Sequence, residues 1–98
     1  MTYSLEFKKS ALKEWRTLGH TVRDQLKKKL EERLENPHVA SPALSGASNL
    51  YKIKLRQLGY RLVYSVDDDV IIVTVIAVSK RNRNEVYDIA LSRIQQDE

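Results

Sequence analysis

The feature that most constrains this chain is an alternation. Residues 50–66 read LYKIKLRQLGYRLVYSV. Taken in steps of two, Tyr51, Ile53 and Leu55 share one face, while Lys52, Lys54 and Arg56 share the other. A period of two is the signature of a half-buried β-strand. Gln57-Leu58-Gly59 then supplies a short turn. A second run places Tyr60, Leu62, Tyr64 and Val66 on one face and Arg61, Val63 and Ser65 on the other. Two alternating runs joined by a glycine-containing turn predict a β-hairpin. Its apolar, aromatic face needs a cover. Its opposite face is crowded with cations, and like charges facing one another across strands are destabilising. The hairpin therefore fits either of two readings: cations kept for an anionic ligand, or a solvated lysine face that protects a sheet edge.

The rest of the chain supplies the cover. Tyr3, Leu5 and Phe7 alternate with Ser4 and Glu6 and predict a short first strand. Ser10 is a candidate helix cap, with Ala11, Leu12, Trp15 and Leu18 following at helical spacing and Gly19 as the stop signal. Thr21 opens a second helix, whose Val22, Leu26, Leu30 and Leu34 repeat every four residues until Asn36-Pro37 ends it. Two helices joined by Gly19-His20 alone predict an antiparallel αα-hairpin. Residues 37–49 form a loop rich in Ser, Ala, Pro and Gly. Asp67-Asp68-Asp69 reads as a turn, because three consecutive carboxylates there do not easily converge on one ion. Residues 70–78, VIIVTVIAV, are almost all apolar and β-branched and predict the most buried strand. The basic segment SKRNRN follows, then a third helix of modest amphipathicity over residues 85–94 and a fraying tail. The order β-αα-β-β-β-α defines an α+β fold. It is an antiparallel β-sheet with an N-terminal αα-hairpin and a C-terminal helix, one domain over residues 1–98, with Trp15, Leu26, Leu30 and Leu34 packed on the central strand.

Composition narrows the chemistry. Cysteine is absent from the 98 residues, which excludes disulfides, thiolate catalysis and Cys-based zinc sites. A net charge of +4 and a pI of about 9.4 favour an anionic partner. The N-terminus has no apolar segment of the signal-peptide kind, and residues 70–78 are too few to span a bilayer, so a cytoplasmic protein without a membrane partner is expected. The two histidines, His20 and His38, lie at a helix end and in a loop, with no spacing suited to metal binding. No phosphate-cradling glycine loop or nucleophile elbow is present, so neither metal nor cofactor is expected. On the helices, Lys27, Lys28, Lys29 and Arg33 form either a solvated face with i,i+4 ion pairs or a phosphate-tracking surface.

What remains is a set of cations and one tyrosine: Lys52, Lys54, Arg61, Arg81, Arg83 and Tyr87. Cutting RNA without a metal requires removal of the 2′-OH proton, stabilisation of the phosphorane and protonation of the 5′ oxygen. Clustered cations lower one another's proton affinity, so a lysine here can serve as base. Arginines suit the phosphorane charge, and a tyrosine can stack a base. The composition permits this chemistry without requiring it.

Three stretches add a resemblance. SALKEWRTLG, YKIKLRQLGYRLVYSV and SKRNRNEVYDIA closely resemble the RelE toxins of bacterial toxin–antitoxin systems, in the same order over nearly the whole chain. The resemblance implies a microbial-ribonuclease-like fold and a metal-independent endoribonuclease that cuts messenger RNA in the ribosomal A site. It also implies a RelB-type antitoxin, contact with 16S rRNA, and operator DNA reached only through the antitoxin complex. Carried over by position, the catalytic lysines fall on Lys52 and Lys54, the transition-state arginine on Arg61, the leaving-group arginine on Arg81 and the stacking tyrosine on Tyr87. Arg83, Arg56, Lys80, Lys27, Lys28, Lys29 and Arg33 are the expected RNA contacts. The last helix has few apolar anchors, so the antitoxin is expected to cover the cationic groove or displace this helix. One departure stands out: Ala43-Leu44-Ser45-Gly46 occupies a place where RelE toxins commonly carry basic residues around a Leu-x-Gly. ParE-like toxins share the architecture and inhibit DNA gyrase, but lack this cationic set. They are the alternative reading, together with a non-catalytic nucleic-acid-binding protein.

Overall fold

The alternating stretch forms the outer hairpin of a four-stranded sheet. The computed structural model describes residues 2–38, 49–80 and 85–94. Along the chain come β1 (Ser4–Phe7), α1 (Lys9–Arg16), α2 (His20–Glu35), β2 (Leu50–Leu55), β3 (Tyr60–Asp67), β4 (Ile72–Lys80) and α3 (Glu85–Ile94). The sheet order is β1-β4-β3-β2. The antiparallel meander β2-β3-β4 is as the turns require. In β2 and β3, Ile53 pairs with Leu62 and Lys54 with Arg61. The first strand departs from the all-antiparallel expectation, since β1 lies parallel to β4, with Phe7 beside Val75. Short turns force neighbouring strands to reverse; β1 is separated from the meander by two helices and is free of that constraint.

The pleat sorts side chains onto two faces. One face carries Ile53, Leu55, Leu62, Tyr64, Val66, Val73, Val75 and Val78, and it is covered by Ala11 and Leu18 and by Leu26 and Leu30 of α2. Leu26 and Leu30 are fully buried, while Trp15 and Leu34 pack at the rim, Trp15 against Phe7 with ring centroids 5.2 Å apart. On the other face, Leu50, Val63, Ile76 and Ala77 meet Ala90 and Ile89 of α3. Consecutive Ile76 and Ala77 both join this second cluster because the β3–β4 ladder slips at Val63/Tyr64, pairing Val63 with Ala77 and Tyr64 with Val75. Ile76 is the extra residue of a β-bulge.

Several local signals resolve differently from their sequence reading. α1 is preceded by Lys8 and Ser10 lies inside it, so Ser10 is not the cap. Gly19 does not close α1 in a left-handed turn; it has φ −62° and ψ 154° and stands at the N-cap of α2, which begins at His20 rather than Thr21. The central strand starts at Ile72 rather than Val70. Val70 is 59% exposed and Ile71 has φ 59°, a left-handed conformation that interrupts extended backbone. The aspartates do serve the turn, with the Asp69 amide donating to Asp67 Oδ1 at 3.0 Å. The hairpin turn comprises residues 56–59, closed by the Gly59 amide donating to the Leu55 carbonyl at 2.8 Å, and Gly59 has φ 74°. Most of the expected loop at residues 37–49, residues 81–84 of the basic segment and the tail lie outside the described residues.

The two placements separate in a stability measurement. Leu30→Ala should lower the unfolding free energy by about 2–5 kcal/mol. Val70→Ala, in the same apolar run but exposed, should change it by less than about 0.5 kcal/mol. Urea melts of the two variants check this, and comparable losses would contradict the start of β4.

Candidate active site

The residue parity that buries Ile53 and Leu55 sends Lys52 and Lys54 to the opposite face of β2. Arg61 faces the same way from β3, directly across from Lys54. α3 covers the Leu50–Val63 end of this face, and the Lys54–Arg61 end is open. A shallow cavity of about 190 Å³ opens there, lined by Lys54, Leu55, Arg56, Tyr60 and Arg61. Lys54 is exposed, whereas Lys52 and Arg61 are half-buried.

Crowding changes the proton affinity of the most exposed member. The positive charge of Lys52, above all, holds the Lys54 ammonium below the usual lysine range. Partial desolvation, then the charges of Arg61 and Arg56 and the side-chain contact with Lys52, act in the same direction. The backbone ladder fixes where these side chains are rooted, so their backbones cannot separate as those of lysines on independent loops would.

The remaining expected residues fall into distinct places. Arg56 is exposed in the hairpin turn rather than on the strand. Lys80 is exposed at the end of β4, paired with Tyr60, which lines the cavity. Arg81 and Arg83 lie outside the described residues. Tyr87 is placed by backbone alone, within α3. Lys27, Lys28 and Lys29 are exposed on α2, which packs on the other side of the sheet, so they form a second basic surface and do not converge on the cavity.

Arg33 differs from these lysines. Its Nη1 donates to the Tyr64 hydroxyl at 3.0 Å and to the Lys52 carbonyl at 3.3 Å, and the side chain is half-buried. It therefore supports the backbone of β2 from beneath and is not displayed like the lysines. Tyr64 in turn donates to the Pro37 carbonyl at 2.8 Å and stacks on Tyr51 with centroids 5.6 Å apart. Burial raises the Tyr64 phenol above its ordinary range, and Arg33 partly offsets this.

Sequence reasoning missed three features. Tyr60, read as an apolar-face residue, lines the cavity. His38 bridges Tyr51 and Asp68, at 2.7 and 2.9 Å, and Asp68 also accepts from the Tyr3 hydroxyl at 2.6 Å. The Tyr3 hydroxyl first, then His38, hold the Asp68 carboxyl below its ordinary value. Glu14 and Arg93 form a bidentate ion pair between α1 and α3. Only Asp68, as a carboxylate in a turn, carried any signal of such a role. Among the described residues no three His, Asp or Glu side chains group to hold a metal ion, and no helix is long and apolar enough to cross a membrane.

A small α+β domain with cations rooted side by side on one sheet face has a surface suited to an anionic partner. Comparison with known proteins makes the class specific. Residues 5–85 match the family described as ParE toxin of type II toxin-antitoxin system, parDE. The chain is 57% identical over 94 residues to the mRNA interferase toxin RelE of Escherichia coli K12, covering 96% of this chain and 99% of that protein. Its fold matches a mutant E. coli toxin RelE in the free state at TM-score 0.86 and 55% identity, covering 96% of this chain and 99% of that one. It matches the same toxin in complex with a peptide of antitoxin RelB at TM-score 0.79 and 56% identity, covering 92% and 95%. The chain belongs to the RelE/ParE family of type II toxin–antitoxin toxins, and these near relatives lie on its RelE side.

The electrostatic coupling is directly measurable. In an NMR titration of the free protein, the Lys54 ammonium should lose its proton below the ordinary lysine range, and Lys52→Met should move it back toward the ordinary lysine value. Titration of Lys54 within the ordinary lysine range, or no response to Lys52→Met, would refute the coupling.

Proposed function

We propose that this protein is a ribosome-dependent endoribonuclease that cuts messenger RNA and is held inactive by a RelB-type antitoxin. The observation that carries the reading is the convergence of Lys52, Lys54 and Arg61 on one open sheet face, with Lys54 reduced in proton affinity by its neighbours. The mRNA interferase name of a 57% identical relative and the antitoxin-bound structure of that toxin support it.

The chemistry follows from what each group can do. Lys54, its ammonium destabilised, takes the 2′-OH proton as a free amine, and Lys52 lowers the energy needed to form that amine. The 2′ oxygen attacks the adjacent phosphorus, and the phosphorane charge develops beside Arg61, whose guanidinium N–H groups donate to it. The P–O5′ bond breaks as Arg81, in the segment after β4, stabilises the leaving oxygen, which takes up a proton from water. The products are a 2′,3′-cyclic phosphate and a 5′-hydroxyl. Tyr87, carried by α3, stacks a base of the message. No metal is used in this scheme.

A lysine base works poorly near neutral pH, since an unperturbed lysine has a pKa of about 10.4. The site is therefore slow on a flexible strand, and the ribosome supplies the in-line geometry, a contribution on the order of 7–11 kcal/mol in favourable intramolecular cases. Lys27, Lys28 and Lys29, on the far side of the sheet, serve as phosphate contacts to 16S rRNA and take no part in the bond chemistry.

Single-turnover cleavage of a message programmed on purified ribosomes tests this. Arg61→Ala should lower the rate by about 10²–10³-fold with little change in ribosome affinity, because its contribution is largest in the transition state. With Lys54 as base, the rate rises with pH up to its pKa, and Lys52→Met should shift that rise to higher pH. Equal cutting of free and ribosome-bound RNA, or products without a cyclic phosphate, would overturn the mechanism. Arrest of DNA replication in cells with uncut message would support the ParE-like reading instead.

The docking surface has its own test. Replacing Lys27, Lys28 and Lys29 by Gln should weaken ribosome binding and flatten its salt dependence by up to roughly three phosphate contacts. The single-turnover rate at saturating ribosomes should stay unchanged. A lost rate with intact binding would place these lysines in the chemistry.

A further inference from the structure

β1 pairs with β4 only as far as Phe7 and Val75, and the Lys8 amide makes the last backbone bond, to the Val75 carbonyl at 3.0 Å. Beyond it, side chains take the place of the missing strand. Glu14 Oε1 accepts from the Val78 amide at 3.1 Å. Arg93 Nη1 donates to the Ile76 carbonyl at 2.9 Å and to Glu14 Oε1 at 2.8 Å, and its Nη2 donates to Glu14 Oε2 at 3.1 Å. The two side chains are only 16% and 28% exposed, Arg93 and Glu14 respectively. α1, the edge of β4 and the last turn of α3 are thus tied at one point by a two-pronged ion pair, which fixes orientation as well as distance.

α3 has little else to fix it among its described side chains. Ala90, which offers a single methyl group, is its buried apolar residue, and Ile89 is half-buried against the same patch. By themselves, these two contacts resist lifting more than they resist sliding or tilting. Tyr87 stands six positions before Arg93, about 9 Å along the helix axis. A tilt of about 10° at the clamp moves the backbone there by roughly 1.5 Å.

We infer that Glu14 and Arg93 are positioning residues for RNA cleavage: together they fix the direction of α3 and so the placement of Tyr87. The inference rests on the endoribonuclease reading and on the part it gives Tyr87. Neither residue touches the message; both act through the helix. A displacement of about 1 Å in a reacting constellation can cost up to about 100-fold in rate, so a loss of at least about tenfold is expected when the clamp is cut.

The test is a double-mutant cycle with an independent structural readout. Arg93→Ala should lower the single-turnover rate on ribosome-bound message by about tenfold or more with ribosome affinity held within about twofold, and Arg93→Lys, which keeps the charge but loses the fork, should recover only part of it. Made in a Tyr87→Ala background, Arg93→Ala should change the rate by less than about twofold, which is the non-additivity of coupled residues. Hydrogen exchange should show α3 amides losing protection while sheet amides keep theirs. Where Arg93→Ala does not fold, Glu14→Gln, which keeps an acceptor for Val78 but weakens the pair, is read in the same way. Equal rate losses in both backgrounds, or unchanged α3 protection, would overturn the inference. A wild-type protein that cuts no message would instead sink the endoribonuclease reading, and the exchange measurement would still decide whether the clamp holds α3.

Discussion

The structure depends on the two-residue period of a pleated strand. Once Ile53, Leu55, Leu62 and Tyr64 are committed to the helix-covered face, Lys52, Lys54 and Arg61 have no choice but the other. Hydrophobic burial thus determines where the charges go, and the ladder holds them close against their mutual repulsion. Each fully buried large side chain contributes on the order of 1.5–3 kcal/mol, whereas exposed charges interact through water and are screened. The balance favours the hairpin despite its crowded cations. The repulsion that remains is expressed in the lowered proton affinity of Lys54.

α3 divides the second face unequally. It covers Leu50, Val63, Ile76 and Ala77 and leaves the Lys54–Arg61 end open. A helix that buried the whole face would strand the cations without solvent, and no helix at all would expose Val63 and Ile76. The position of the helix end is therefore a compromise between an apolar patch and a charged one, and Glu14 with Arg93 marks the point on which it is settled.

Much of this was legible in the sequence because it is periodic or local. The hairpin, the Leu26–Leu30 stripe and the element order follow from spacing within one or two turns of chain. The cationic trio followed from alternation alone, although the role of each member rested on family resemblance. What the sequence did not disclose depends on distant partners. The parallel placement of β1 requires knowing where two intervening helices deliver the chain. Arg33 looked like its neighbours Lys27, Lys28 and Lys29 until Tyr64 and the Lys52 carbonyl were beside it. Glu14 and Arg93 are 79 positions apart, and each alone is an ordinary charge on a helix. Val70 belongs to the apolar run by composition, yet the turn conformation at Ile71 excludes it from the strand.

The bulge at Ile76 gives β4 two phases. Val73 and Val75 face the helical core at odd positions, and after the extra residue Val78 does so at an even one. The near-continuous apolar run, which read as the most buried strand, is built as two alternating half-strands joined out of step. The end of the strand that leads to Lys80 and Arg81 is set by the second phase, and the core by the first. One inserted residue therefore accounts for the change of phase: deleting Ile76 would leave Tyr64 opposite Val75 and Val63 opposite Ala77 in an uninterrupted ladder, with Val78 still on the helical-core face and the extra local twist of the bulge removed.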